Sequence, residues 1–343
     1  MVNCLHCMRK ILIFLLLGAA LLGMSRAPAE PPIGVTTFEM RDESRERPVT
    51  VEFWYPTTPW TPGHRKESVW VHPVESRNAP YFAQDKPRPL ILLSHGHAGD
   101  RRDRSWLAES LVKQGYLVAS VEHHGNTWRT MDPVASLKFW ERPRDVSFAL
   151  DAILADPVWG ERIDRERIGF VGYSLGGMTG LALAGGEVHH LEQIVAAQRG
   201  KVKEVDVAAE VNLDEAKVSF YDPRIKAIVL IAPATWGYDP QEILAQGTPI
   251  GIIAPEEDDV LPPNEHLNRM IEGNLPIRLK VLAPPVAHNS FVNRISEWGK
   301  VKLPSYYLRE GPGFDREKLH KETAEFVLNF FGEFLDNSVE ERD

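Results

Sequence analysis

The stretch Gly172-Tyr173-Ser174-Leu175-Gly176 constrains this chain more than any other. It matches Gly-x-Ser-x-Gly, and its setting matters more than its letters. The apolar run 168–171 before it reads as a strand, and the small-residue run 177–184 after it reads as a helix. A serine on so sharp a strand-to-helix turn sits on crowded backbone, which flanking glycines relieve. The helix N-terminus then favours negative charge developing beside the hydroxyl. The alternative reading is a glycine-rich turn without chemical consequence.

The rest of the chain supplies the framework such a turn needs. Apolar runs at 90–94, 117–121, 168–172, 225–231, 250–254 and 279–283 read as strands. Residues 106–114, 144–154, 177–184 and 323–335 read as helices. Gly115 stops the first, and Val146, Ala149, Leu150 and Ile153 share one face of the second. Before them, 30–89 reads as leading strands, including a β-type run at 49–55, plus a long loop. Strands alternating with helices predict an α/β fold, a mostly parallel central sheet with helices on both faces. The 343 residues are 43% hydrophobic and 25% charged, enough for a sizeable core in a single domain over 30–343. Residues 185–224 are too long and too charged for a plain crossover, and read equally as a lid or a surface excursion. Trp128, Phe139 and Trp140 follow the strand at 117–121, where they either line a pocket or pack in the core.

The N-terminus has its own logic. Arg9 and Lys10 precede an apolar run of 12 residues, 11–22, and Ala27-Pro28-Ala29 follows as a small-x-small site. This order predicts a secretory signal peptide over 1–29, cleaved after Ala29, and a periplasmic or secreted protein. The run is short for a membrane span, which takes about 20 residues; retention as an N-terminal anchor is the alternative. Cleavage would remove three positive charges and no acid, taking the net charge from −9 to −12. Neither value offers the basic face that nucleic acid requires. Both cysteines, Cys4 and Cys7, lie in this segment, so a mature chain would have neither disulfide nor thiol nucleophile.

A serine hydroxyl is a weak nucleophile and needs a base. On a strand–turn–helix site of this type the chain order is Ser, acid, His. His189, His190, His266, His288 and His320 follow Ser174. The first two precede the remaining strands, His266 falls in a polar helical stretch, and His320 opens the last helix. His288 lies in the loop after the strand at 279–283, where a base belongs. The acid is expected after the strand at 250–254, in the run Glu256-Glu257-Asp258-Asp259. Asp258 is preferred because Asp258 to Pro262 gives an Asp-x-x-x-Pro loop end; Asp239 is the fallback. Its task is to accept Nδ1–H of His288. Ser94-His95-Gly96-His97 follows the strand at 90–94, and the expected oxyanion donors are the backbone N–H groups of His97 and Leu175. The rival is a metal held by His95 and His97 with His123 or His124. No carboxylate completes that set at ligand spacing, so neither metal nor cofactor is expected.

The segments Pro89 to His97 and Leu107 to His123, together with Arg142-Pro143-Arg144-Asp145-Val146-Ser147 and the Ser174 turn, resemble bacterial dienelactone-hydrolase-like proteins. They are also similar to platelet-activating-factor acetylhydrolases. The resemblance spans roughly 34–335 and implies the α/β-hydrolase fold, with hydrolysis of small or short-acyl esters and no cofactor. Dienelactone hydrolases proper carry Cys where this chain has Ser174. The acetylhydrolases place their acid after the strand that here is 225–231, which ends in Ala232-Pro233-Ala234 without one. The expected partner is a small-molecule or lipid ester. An acyltransferase or peptidase with the same triad, or a non-catalytic binding protein on this scaffold, are the other classes the residues allow.

Overall fold

The computed structural model describes residues 32–58, 68–83, 86–191, 193, 211–273, 276–309, 311 and 313–336. The expected signal segment, and residues 192 and 194–210 of the expected lid or excursion, lie outside these.

Strands β1 (Ile33–Asp42) and β2 (Arg47–Pro56) form an antiparallel hairpin. β3 (Trp70–Val71) and β4 (Glu75–Arg77) follow, and β4 joins the free edge of β1. The regular alternation then begins. Strands β5 (Arg88–Ser94), β6 (Leu117–His123), β7 (Ile163–Tyr173), β8 (Ala227–Ile231), β9 (Ile250–Pro255) and β10 (Ile277–Leu282) pair in parallel. The nine-stranded sheet runs β10-β9-β8-β7-β5-β6-β2-β1-β4. Its six parallel strands end at one edge, so every loop after them emerges on the same side.

Parallel strands with both faces covered need apolar residues at consecutive positions. Leu90 and Leu92 of β5 face one core, and Ile91 and Leu93 face the other. Helices α1 (Ser105–Lys113) and α8 (Arg316–Phe331) cover the second core with Trp106, Leu107, Leu111, Val327, Phe330 and Phe331. Helices α3 (Glu141–Ala155) and α4 (Leu175–Leu183) cover the first with Val146, Leu150, Met178 and Leu181. Gly115 takes φ +95° just after α1, as its predicted role as a stop requires. Three short helices were not read from the sequence, α2 (Pro133–Leu137), α5 (Pro240–Gln246) and α7 (Glu297–Lys302), while α6 (Leu267–Glu272) falls in the polar stretch read as helical around His266. At five to seven residues those three are too brief for a periodic signal.

α3 starts at Glu141, three residues before the expected 144, and the extra turn buries Arg142. The aromatic trio expected either in a pocket or in the core divides. Trp140 is buried in a small cluster with Leu137, Leu191, Val211 and Ala216, Phe139 packs against it, and Trp128 is 61% exposed. Leu191 and Val211, on either side of the undescribed residues, are both buried in that cluster. His266, read as part of a polar helical stretch, and His320, read as the start of the last helix, are both buried. His266 meets Trp236, and His320 stacks on Trp106 at 4.0 Å between ring centres.

Candidate active site

Ser174 sits between β7 and α4 at φ +53°, ψ −117°, strained backbone for a residue with a side chain. The turn closes only because its glycines lack Cβ atoms. A Cβ on Gly172 would overlap Gly176 O, and one on Gly176 would overlap Ser94 O. The Ser174 amide donates to Ile231 O at 3.0 Å and its carbonyl accepts from Gly177 and Ala234, so the turn is tied to β8 as well.

His288 opens a single 3₁₀ turn, His288–Phe291, after β10. Its Nε2 lies 2.9 Å from Ser174 Oγ, and its Nδ1 lies 2.7 Å from Asp258 Oδ2. Asp258 follows β9 and is held by two backbone donors, Val260 N–H and Leu261 N–H, on Oδ1. Neighbouring Asp259 also reaches His288, but at the backbone, accepting its N–H at 3.0 Å. Tyr173 OH donates to His288 O at 3.0 Å, so main chain and ring of His288 are both fixed. Asp239, the fallback acid, accepts Gln241 N–H at the start of α5 instead.

The loop after β5 runs against the serine. A Cβ on Gly96 would meet Ser174 Cβ at 3.1 Å and the Tyr173 ring at 3.0 Å, so only glycine lets the backbone approach this closely. The direction of the His97 amide follows from its neighbours. Gly96 O accepts from His95 Nδ1 at 2.7 Å and from Gly99 N–H at 3.2 Å. In a trans peptide the next N–H points opposite to that carbonyl, so His97 N–H is turned away from the His95 ring. Leu175 is the first residue of α4, and its N–H is among those with no acceptor inside the helix.

The other histidines here are engaged in ways that disfavour metal binding. His95 Nε2 accepts the His123 N–H, which leaves the ring proton on Nδ1 for Gly96 O. Burial, and then the Arg142 charge, hold the His95 pKa well below the ordinary value. His123 spends Nδ1 on Asp145 and Nε2 on Ser94. Among the described residues, no three His, Cys, Asp or Glu are grouped so as to hold a metal. Behind Asp258, His266 Nδ1 accepts Thr235 N–H at 3.1 Å, and burial pulls this imidazole down to about 4.

A buried set of charges beneath the loop after β5 was not read from the sequence. Arg45 and Arg47 both bind Asp145 of α3, which is fully buried. One signal was present. Arg142 and Asp145 stand four residues before Val146 and Ala149, so they extend the apolar face of α3 rather than its wet face.

A family model described as "Platelet-activating factor acetylhydrolase, isoform II" matches residues 40–132. The likeness to platelet-activating-factor acetylhydrolases read from the sequence is thus borne out over that segment. A comparison with curated proteins finds no match. Among solved structures, a ferulic acid esterase from Streptomyces cinnamoneus superposes with a TM-score of 0.62 at 21% identity, covering 91% of this chain and 93% of that one. The architecture is the α/β-hydrolase fold, as expected.

Proposed function

We propose that this protein is a serine hydrolase of carboxylic esters, with Ser174 as nucleophile, His288 as base and Asp258 as the orienting acid. The observation that carries this reading is the His288 ring, bridging Ser174 Oγ at 2.9 Å and Asp258 Oδ2 at 2.7 Å. Ser174 Oγ attacks the acyl carbon while His288 Nε2 takes its proton. The carbonyl π pair moves onto oxygen, and the His97 and Leu175 amides receive that charge. Collapse expels the alcohol, which takes the proton back from His288. Water then repeats the sequence on the acyl-enzyme and releases the acid. Asp258 keeps the proton of neutral His288 on Nδ1 and steadies the imidazolium.

The substrate proposed is a small or short-acyl ester, free or in a lipid. An acetylhydrolase description over 40–132 and an esterase neighbour support the bond type. Turnover of an ester series of increasing acyl length, with fluorophosphonate labelling, tests both parts. Labelling and turnover should be lost in Ser174→Ala while its unfolding midpoint stays near that of the unaltered protein. Persisting turnover in a folded Ser174→Ala variant would overturn the mechanism.

Export is part of the same proposal, resting on the order of charge, apolar run and Ala27-Pro28-Ala29. N-terminal sequencing of protein from fractionated cells should find a chain beginning at Glu30 outside the cytoplasm; full-length chain confined to the cytoplasm would refute it. Among the described residues, no helix is long and apolar enough to cross a membrane.

A further inference from the structure

A second Ser–His–Asp array lies under the loop after β5. Asp145 Oδ2 is 3.1 Å from His123 Nδ1, and His123 Nε2 is 2.8 Å from Ser94 Oγ. Exposure is 0% at His123 and 2% at Ser94. No substrate can reach this serine, so the array has another use.

The proton positions can be assigned from the partners. Asp145 takes Arg47 Nε at 2.7 Å, Arg47 Nη2 at 2.9 Å and Arg45 Nη1 at 2.9 Å, so it acts as acceptor throughout. His123 therefore donates from Nδ1 and accepts at Nε2, and the Ser94 hydroxyl donates to it. Burial, then the charges of Arg142, Arg47 and Arg45, keep the His123 ring neutral. The Ser94 oxygen is left to accept, and Arg142 Nη2 reaches it at 3.3 Å.

Arg142 is 2% exposed, and its fork touches three separate elements. Nη2 also donates to His95 O, in the loop that presents the His97 amide. Nε donates to Thr179 Oγ1 at 3.2 Å, on the helix that presents the Leu175 amide. Nη1 donates to Asn126 Oδ1 at 3.2 Å, and that oxygen also accepts Ala98 N–H at 3.4 Å. The two amides proposed to bind the oxyanion belong to elements that meet on this one rigid, planar group.

We propose that Arg142 is a positioning residue that sets the spacing of the His97 and Leu175 amides, oriented by the buried Asp145–His123–Ser94 relay. This rests on the esterase reading above. A donor displaced by an ångström costs stabilisation of the tetrahedral oxyanion and leaves ground-state binding nearly intact.

The test compares Arg142→Lys and Arg142→Met with the unaltered protein on three readouts. These are kcat, KM, and inhibition by a trifluoromethyl ketone, whose adduct with a serine carries the oxyanion. Each variant should lose roughly 100-fold in kcat and about as much in inhibitor affinity, the scale of one lost oxyanion donor. KM should stay within about threefold. Folded Arg142 variants with unchanged kcat and inhibitor affinity would overturn the proposal. So would losses in which KM rises in step. If neither variant folds, Ser94→Ala and Thr179→Val decide, because each removes one acceptor and keeps the guanidinium. A drop of about tenfold in kcat at constant KM supports the role, and unchanged kcat in both overturns it. Unaltered protein that neither hydrolyses esters nor takes a fluorophosphonate at Ser174 overturns the esterase reading and this proposal together. Active, labelled protein with indifferent variants overturns this proposal alone.

Discussion

Asp258 and Asp259 are neighbours with the same side chain, yet they serve His288 differently. Asp258 faces the ring at 2.7 Å and Asp259 faces the main-chain N–H at 3.0 Å. Asp258→Asn should favour the wrong imidazole tautomer and lower kcat by about ten-thousand-fold, the scale seen when a protease triad acid becomes Asn. Asp259→Asn removes a charge but keeps an acceptor oxygen for that N–H, so its loss should be far smaller. Glu257→Gln and Asp239→Asn should leave kcat nearly unchanged. Steady-state kinetics on the four purified variants separate these outcomes. A large loss in Asp239→Asn with an active Asp258→Asn would move the acid to the loop after β8.

At the scale of elements, the site depends on how closely β5, β7 and α4 approach one another. Gly176 has no room for a methyl group, because Ser94 O and His95 O occupy the space. Gly176→Ala must therefore push the loop after β5 away from Ser174, or fail to close the turn. Overpacking of this kind costs about 1–3 kcal/mol in a well-packed core, and here the displaced backbone carries the proposed oxyanion donor of His97. The expected result is a lowered unfolding midpoint together with loss of nearly all activity. An Ala variant as stable and active as the original would show that the loop yields easily and that its proximity to the turn is incidental. Gly332→Ala serves as the contrast, because a Cβ there would meet nothing within 4 Å, and it should leave activity unchanged.

Across the whole molecule, buried histidines shape the response to acid. His95 and His123 lie well below the ordinary imidazole range, His266 near 4 and His320 near 3, with burial as the leading cause in each. An unfolded chain protonates each of them near pH 6.5. Below that pH the unfolded state holds more protons, so stability falls as pH falls. Asp103 acts in the opposite sense: burial, then the Asp100 charge, raise it to about 7, and the folded chain keeps a proton that the unfolded chain releases. One such group offsets one of the four histidines. The net effect is a stability that falls as pH drops from about 6.5 toward about 4. Urea unfolding at several pH values would measure it, and a flat or rising stability over that range would contradict it.

The alternation of apolar runs determined the α/β architecture, because periodicity and glycine stops act within a few residues. The same local order marked Ser174, Asp258 and His288, since each stands just past the end of a strand and parallel strands end at one edge. It did not reveal that Arg142, Asp145 and His123 are buried together. Arg45 meets Asp145 across 100 residues of chain, and nothing local predicts that a charge will find its partner at that separation. The tertiary structure decided this, along with the contact of Asp259 to the His288 main chain. A buried charge is tolerated only where other elements bring it donors and acceptors, and those elements meet only in the folded chain.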